Sequence, residues 1–148
     1  CVDASASALA AASRNAERHG LALEALKGDA FEVLESLVAA GRRFDAIVLD
    51  PPAFAKRRKD LPKAQAAYRK LNQLALRLLD DDGLLVSCSC SWHLAEGDLL
   101  TAIQSAARQV SRFVQVVAVG GQAADHPVHP AIPETRYLKA IFCRVLAA

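Results

Sequence analysis

Hydrophobic positions along the chain follow two spacings in turn, one typical of helices and one typical of strands. Apolar residues recur at helical spacing in four stretches, near residues 9–16, 31–38, 71–79 and 94–110. Short apolar runs between and after them predict strands at residues 23–27, 44–49, 84–90, 113–119 and 137–146. Helices and strands that alternate in this way predict an α/β sheet with helices on both faces.

Three acidic residues stand at the ends of strand-like segments, namely Asp3, Asp29 and Asp50. In open α/β sheets, ligands bind beyond the carboxyl ends of the strands. A carboxylate at that place can accept hydrogen bonds from a ribose diol or from an adenine amino group. Acids at strand ends are also ordinary helix caps and turn formers, so each of them alone leaves both interpretations open.

The turn after residues 44–49 carries a more specific pattern, Asp50-Pro51-Pro52. Two prolines directly after an apolar strand end its ladder pairing and hold a rigid, extended turn. The pattern therefore fixes the Asp50 carboxylate at the end of the strand. Phe54 follows two residues later, where its ring either stacks on an extruded base or covers the hydrophobic core.

Charge is distributed unevenly along the chain. The 148 residues contain 18 Lys and Arg and 16 Asp and Glu, for a net charge of only +2. Residues 56–77 hold eight basic side chains and one acid, so this segment carries +7 and the remainder −5. The basic side chains are Lys56, Arg57, Arg58, Lys59, Lys63, Arg69, Lys70 and Arg77. Such a segment suits phosphate contacts with a nucleic acid, although a solvated helix face explains Arg69, Lys70 and Arg77 equally well.

Four cysteines occur, without the spacing of a disulfide framework or a zinc site, so we expect free thiols and no metal site. Cys88 and Cys90 lie two apart in a predicted strand and therefore point to the same side. Cys88 and Cys143 suit buried, inert thiols, whereas Cys90 stands at the strand end among serines. No apolar run approaches the ~20 residues that cross a bilayer, and no signal-peptide pattern occurs, which predicts a cytoplasmic protein without a membrane partner.

Together these residues resemble the class I S-adenosylmethionine-dependent methyltransferases. More narrowly, the chain resembles the bacterial 23S ribosomal RNA cytosine-C5 methyltransferases over essentially its whole length. The Asp-Pro-Pro turn is shared by many methyltransferases, and the Ser-Cys-Ser strand end combined with two later segments is more specific. The motifs, in order, are Asp3, Gly28-Asp29, Asp50-Pro51-Pro52-Ala53-Phe54, Ser89-Cys90-Ser91, Gln-Ala-Ala-Asp-His-Pro at residues 122–127, Pro133-Glu134 and Tyr137-Leu138-Lys139.

The resemblance implies a cofactor site for S-adenosylmethionine. In it, Asp3 binds the ribose hydroxyls, and Asp29 with the backbone of Ala30 meets the adenine. Asp50 and Pro51 line the junction between the methyl group and the target base.

The resemblance also implies a nucleophile, Cys90, with Cys88 as the second choice. A thiolate is needed because carbon 5 of cytosine is a poor nucleophile until a thiolate has added to carbon 6. A base must then remove the proton from carbon 5, and the sequence leaves Asp50 and Glu134 open for that task. Phe54 and the basic residues Lys56, Arg57, Arg58 and Lys59 are the expected contacts to ribosomal RNA.

The chain departs from the family at its front. It lacks the glycine-rich turn after the first strand, and it begins without Met at Cys1, near the end of the second strand. We therefore expect residues 1–148 to be a partial Rossmann-like catalytic domain without its first strand and without the upstream RNA-binding domain. Loss of a middle strand predicts weak cofactor binding, little activity of the fragment alone and self-association through exposed sheet edges, including a homodimer.

Two alternatives stay open. One is a methyltransferase that acts on guanine or on an exocyclic nitrogen of RNA and needs no thiol. The other is a noncatalytic RNA-binding module with a nucleotide-binding fold.

Overall fold

The computed structural model describes residues 1–148, which divide into two compact units, Cys1–Arg42 and Arg43–Ala148. The first unit has a two-stranded parallel sheet of β1 (Val2–Asp3) and β2 (Leu26–Lys27). Its two helices are α1 (Ala6–Arg18) and α2 (Ala30–Ala39). The Ser5 hydroxyl caps α1 by accepting from the Ala8 amide at 3.2 Å, a role that serine often has at a helix start.

The second unit contains a four-stranded mixed sheet with the order β3-β4-β6-β5. Its elements are β3 (Phe44–Leu49), α3 (Leu61–Leu78), β4 (Leu79–Ser89), α4 (Glu96–Gln109), β5 (Arg112–Gly120) and β6 (Lys139–Ala147). Strands β3 and β4 are parallel, and β6 runs antiparallel to both β4 and β5. Helices and strands alternate as predicted, and the strands form two separate sheets.

The core of the second unit lies where α3 and α4 pack together against the sheet. Alternate residues of β4 and β6 face this core, among them Leu85, Ile141, Cys143 and Val145, each with no exposed surface. Apolar side chains of α3 such as Leu74 and Leu78 fill the space above them. Burial of this apolar surface holds the strand ends of the second unit in place.

A tight turn separates α3 from the regular part of β4. Leu79 pairs with Phe44 of β3, and pairing resumes only at Leu84, opposite Ala46. Asp82 adopts a positive φ of 65° in this bulge, and a Cβ on Gly83 would lie 3.0 Å from the Asp80 carbonyl oxygen. A side chain at residue 83 would therefore force the neighbouring backbone of this turn to shift.

Several element bounds differ from the sequence prediction. The strand predicted at residues 23–27 covers only Leu26–Lys27, because Leu23 is exposed and has no partner strand. Helix α3 begins ten residues earlier than residue 71, and β4 begins at Leu79 rather than at residue 84. β4 ends at Ser89, which leaves Cys90 one residue beyond it. None of the helices is long and apolar enough to cross a membrane.

Candidate functional site

The carboxyl ends of β3 and β4 meet at one edge of the four-stranded sheet. The two strands are parallel and in register, with Leu49 paired to Ser87. Asp50 is the first residue after β3, and Cys90 is the first residue after β4. Two of the sequence-predicted catalytic residues thus follow neighbouring parallel strands, at the place where α/β folds bind ligands.

A buried hydrogen-bond network, which we call the serine network, fixes the residues on both sides of Cys90. The Tyr68 hydroxyl donates to Ser89 Oγ at 2.9 Å, and the Ser91 amide donates to the same oxygen at 3.2 Å. Ser91 Oγ in turn accepts a hydrogen bond from the Ala55 amide at 3.2 Å. Because Ala55 belongs to the loop that begins at Asp50, the network ties this loop to the Cys90 segment.

Phe54 packs against the same tyrosine. The ring centroids of Phe54 and Tyr68 lie 4.9 Å apart, with a tilted angle of 59° between the ring planes. Phe54 stays half-buried while Tyr68 is 1% exposed. The Phe54 ring therefore covers part of the core, as one of the two sequence-based interpretations predicts, and part of it still faces solvent.

The three cysteines of this unit lie in different electrostatic surroundings. Burial, together with the nearby Asp50 carboxylate, raises the pKa of the Cys88 thiol. Burial alone raises the pKa of Cys143 to about 11, in line with its predicted role as an inert core thiol. Since the thiolate is the nucleophilic form, Cys88 and Cys143 are poor candidates for attack on a base.

Cys90 is half-buried and has a cationic neighbour, Lys139. The Lys139 ammonium donates to the backbone carbonyl of Ser91 at 2.6 Å. Burial lowers the pKa of Lys139, whereas negative charge on Cys90 and on Asp98 acts in the opposite direction. Of the cysteines in this unit, Cys90 is thus the one placed beside a positive charge.

Glu134, the other candidate base, lies in a short 3₁₀ helix, Pro133–Thr135. The side-chain amide of Gln122 donates to the Thr135 carbonyl, and the His129 amide donates to Thr135 Oγ1 at 2.8 Å. These bonds hold the loop around Thr135. Glu134 itself is exposed, and no hydrogen bond or ion pair joins its carboxylate to the strand-end residues.

The predicted cofactor residues Asp3 and Asp29 belong to the first unit, at adjacent ends of β1 and β2. Asp3 Oδ1 accepts from the Ser5 amide at 2.6 Å, and Asp29 Oδ1 accepts from the Phe31 amide at 2.9 Å. Each carboxylate is exposed and uses one oxygen for these bonds. Because a carboxylate has two acceptor oxygens, capping and ligand binding are compatible at both positions.

The chain is closely packed at Gly28, the residue before Asp29. The Gly28 amide donates to the Asp3 carbonyl at 3.1 Å, and a Cβ on Gly28 would lie 2.7 Å from Val33 Cγ2. Ala30 is the first residue of α2, where its amide is not used within the helix. Two carboxylates and a helix amino terminus at one sheet edge fit the ribose and adenine groups of a nucleoside.

The predicted RNA-contacting residues form an exposed basic surface in the second unit. Lys56, Arg57, Arg58 and Lys59 are exposed, and the Arg57 amide donates to Asp60 Oδ2 at 3.1 Å. This bond stabilises a 3₁₀ turn, Arg58–Asp60, that leads directly into α3. The remaining basic residues of the segment lie on the exposed side of α3, whose opposite side contains buried Ala64 and Tyr68.

Tyr68 is a site residue that the sequence did not reveal, and Lys139 appeared there only as part of the Tyr137-Leu138-Lys139 motif. Tyr68 lies in a stretch dominated by basic residues, where the helical spacing of Ala64, Tyr68 and Leu71 is the only signal of a buried face. Lys139 is the first residue of β6 and is followed by the four apolar residues 140–143. A lysine in that position is a signal that sequence reading can use.

Comparison with known proteins agrees with this geometry. A family model described as "Methyltransferase domain" matches residues 1–139. The ribosomal RNA large subunit methyltransferase I of Klebsiella pneumoniae is 39% identical, and the alignment covers 98% of this chain and 37% of that protein. The corresponding protein of Yersinia pestis is 38% identical with the same coverage. The chain therefore spans less than two fifths of the length of the curated relatives that it matches.

Solved structures share the fold at low sequence identity. A Streptococcus mutans protein described as an S-adenosylmethionine-dependent methyltransferase superposes with a TM-score of 0.78 at 17% identity, over 97% of this chain and 37% of that chain. NSun6 of Pyrococcus horikoshii, solved with SFG, gives a TM-score of 0.64 at 20% identity, over 97% of this chain and 40% of that chain. With the match over residues 1–139, these likenesses show that the chain belongs to the methyltransferase domain family and has its Rossmann-like α/β fold.

Proposed function

We propose that the protein containing this chain transfers a methyl group from S-adenosylmethionine to carbon 5 of a cytosine in large-subunit ribosomal RNA. The observation that carries the proposal is the position of Cys90 directly after β4, next to the Asp50-Pro51-Pro52 turn after β3. The names of the relatives support a ribosomal RNA substrate. The thiol supports carbon 5 of cytosine, because methyl transfer to a nitrogen needs no covalent adduct.

The chain's own residues account for the steps on the base. The Cys90 thiolate forms a bond to carbon 6, which places electron density on carbon 5. S-adenosylmethionine, once bound, would supply the electrophilic methyl group that carbon 5 accepts, with S-adenosylhomocysteine as the leaving group. A base then takes the proton from carbon 5, and the electron pair returns to the ring as the bond between carbon 6 and sulfur breaks.

Asp50 is the better-supported base of the two candidates. Its carboxylate lies close enough to the Cys88 thiol to raise that group's pKa, so it faces the thiol-bearing end of β4. Glu134 has no comparable contact with that end of the sheet. We therefore assign proton removal to Asp50. We assign Glu134 a role within its own loop, residues 121–138.

Asp3, Asp29 and the Ala30 amide fit the cofactor's nucleoside. Their carboxylate oxygens and helix-start amide match the donors and acceptors of a ribose and an adenine. Pro51 keeps the Asp50 turn extended, so that both residues line the junction where the methyl group meets the target base.

The basic surface supplies phosphate contacts that position RNA without reading its sequence. Replacing Lys56, Arg57, Arg58 and Lys59 with alanine should weaken RNA binding and flatten the dependence of affinity on salt. Each lost phosphate contact removes about 0.7 from the slope of log affinity against log salt for single-stranded RNA. The matched control replaces Arg69, Lys70 and Arg77 on α3, and an equal loss from both variants would show a general charge effect instead of a defined contact surface.

The experiment that tests the proposed function maps modified nucleotides in ribosomal RNA from cells that lack the gene. We expect one carbon-5 methylcytosine of the large subunit to disappear and to return on complementation with the natural protein. Loss of a methylated guanine or of an N-methyl group would instead support the thiol-independent alternative. An unchanged modification pattern, with no binding of S-adenosylmethionine by calorimetry, would support a noncatalytic module.

A further inference from the structure

Trp92 lies on a tight turn that begins directly after Cys90. The Leu94 amide donates to the Ser91 carbonyl at 3.1 Å, which closes a four-residue β-turn. Trp92 and His93 are the two central residues of this turn. Ser91 and Leu94, at its two ends, are at most 1% exposed, whereas Trp92 is 42% exposed. A turn anchored at both ends thus holds a large indole ring at the surface.

One buried hydrogen bond joins the Trp92 turn to the basic surface. Ser91 Oγ accepts this bond from the Ala55 amide at 3.2 Å. Trp92 follows Ser91 in the chain, and Lys56, the first exposed cation of the basic surface, follows Ala55. The exposed indole and the beginning of the basic surface therefore adjoin the two residues that share this bond. Cys90 precedes Ser91, so the thiol belongs to the same small region.

An exposed aromatic ring beside positive charge is a combination that binds unpaired nucleotides. Bases stack on aromatic side chains, and cations contact the phosphates that link the bases. Tryptophan suits stacking because its large ring has only two rotatable side-chain bonds, and a turn with buried ends limits its motion further. The four cations of residues 56–59 favour an anionic partner over an apolar protein surface, which would gain nothing from them.

We propose that Trp92 stacks on an unpaired nucleotide next to the target cytosine and thereby positions the RNA strand at Cys90. This inference rests on the proposed function and deepens it, because it adds a contact with a base to the phosphate contacts of the basic surface. It also defines the substrate class. The target and at least one neighbouring nucleotide must be unpaired, since a base inside a helix has no free face for stacking. Stacking accepts any base, so Trp92 recognises an open strand and not a sequence.

The test compares two RNA probes without cofactor, an oligocytidylate and an abasic ribose-phosphate oligomer of the same length. In the natural protein, Trp92→Ala should weaken oligocytidylate binding by at least about fivefold, as the loss of one stacked base does. Binding of the abasic oligomer should not change, since that probe has phosphates and no bases. The slope of log affinity against log salt should also stay the same, in contrast to the alanine variant of the basic surface. An equal loss on both probes, or no loss on oligocytidylate in a folded variant, would overturn the proposal.

Two further variants control for the loss of an exposed ring. Trp92→Phe keeps an aromatic face and should restore most of the affinity for oligocytidylate. Phe113→Ala is the matched control, because Phe113 is 52% exposed and pairs with Leu146, at the end of the sheet opposite to Cys90. It should leave the affinity for both probes unchanged. A loss equal to that of Trp92→Ala would contradict a specific contact at Trp92.

Fluorescence tests the contact in the unsubstituted protein, so the proposal stays falsifiable if Trp92→Ala does not fold. Trp92 is the one tryptophan of these 148 residues. Its signal in the natural protein is the part of the emission that is absent from Trp92→Phe. Stacking of a base on the indole should quench this signal when oligocytidylate binds, and the abasic oligomer should not quench it. Binding of oligocytidylate without quenching of Trp92 would overturn the proposal.

The outcomes distinguish this contact from the proposed function. If the Trp92→Ala protein binds oligocytidylate and methylates ribosomal RNA at the normal rate, the stacking contact is wrong and the proposed function stands. If oligocytidylate quenches Trp92 but cells that lack the gene keep every carbon-5 methylcytosine, the proposed function is wrong and the RNA contact stands.

Discussion

Cys88 and Cys90 lie two residues apart at the end of one strand, yet an acidic side chain acts on the first and a basic side chain on the second. Cys88 is within β4, partly buried, and next to the Asp50 carboxylate, which disfavours its thiolate. Cys90 lies one residue beyond β4, between two serines held by the serine network, and next to Lys139. The two thiols thus have different charged neighbours, an acid that follows β3 for Cys88 and a lysine of β6 for Cys90.

The largest expected effect comes from removing the thiols one at a time. In the natural protein, Cys90→Ala should lower the single-turnover rate of methyl transfer by at least about a thousandfold, as loss of a nucleophile does in other enzymes. Cys88→Ala is the matched control and should retain most of the rate, since that thiol takes no part in the reaction. Equal losses of rate in the two variants, or a larger loss for Cys88→Ala, would contradict the assignment of Cys90 as the nucleophile.

The second effect concerns the Tyr68 hydroxyl, which binds the serine next to Cys90. Tyr68→Phe removes the donor to Ser89 Oγ and leaves a buried serine without that partner. We expect a loss of about 1–2 kcal/mol in the free energy of unfolding, measured by urea denaturation, together with a lower kcat.

Tyr137→Phe provides the control for this change, because Tyr137 is half-buried and outside the serine network. It should leave stability and rate nearly unchanged. A Tyr68→Phe protein with normal kcat and reduced stability would show that the network supports the core and has no influence on Cys90.

A third effect extends the comparison to Cys143, which has no charged neighbour. Burial raises the pKa of Cys143 from 9.0 to about 11, so the unfolded chain loses this proton at lower pH than the folded one. The protonated Cys143 thiol therefore contributes to the free energy of unfolding. This contribution is fully present below pH 9 and is lost as pH rises through about 11.

Thermal unfolding of the Cys143→Ala variant between pH 9 and 11 measures how much the Cys143 thiol contributes to the stability of the folded protein. The variant should be less stable at neutral pH because it leaves a cavity, and its stability should fall less between pH 9 and 11 than that of the unsubstituted protein. Parallel pH curves would contradict the assignment. Iodoacetamide should label Cys143 last of the three thiols in the folded protein.

The smallest effect is expected from the acid beside Cys88. Asp50→Asn removes a negative charge and should lower the pH midpoint of Cys88 alkylation, with burial still keeping it above the usual range. An unchanged midpoint of Cys88 alkylation in the folded variant would contradict the effect of Asp50 on this thiol.

Much of this arrangement was accessible from the sequence, for physical reasons. Residues 44–49 were predicted with the bounds that β3 has, because a continuous apolar run that ends at two prolines leaves little choice. The start of α3 was missed because Lys63, Arg69 and Lys70 on its exposed side hide the apolar spacing of the buried side. The strand predicted at residues 23–27 was too long because apolar side chains such as Leu21 and Leu23 are exposed in a loop.

The residues of the candidate site also fall into two groups, those that the sequence predicted and those that it did not. Asp50 and Cys90 follow from local patterns at strand ends, since a strand end is a property of a few adjacent residues. The roles of Tyr68 and Lys139 depend on contacts between distant parts of the chain, such as the bond from Lys139 to Ser91 across 48 positions. Register between strands sets those contacts, and no local pattern encodes register.

The most direct test of the central claim, that Cys90 is the attacking thiol, is to trap its adduct. RNA that contains 5-fluorocytidine is incubated with the natural protein and S-adenosylmethionine, because fluorine at carbon 5 cannot leave as a proton does and so prevents release. We predict a covalent protein–RNA complex whose modified peptide carries the nucleotide on Cys90, and its absence from the Cys90→Ala variant. An adduct on Cys88, or methylation of unmodified RNA by Cys90→Ala at the normal rate, would contradict the account.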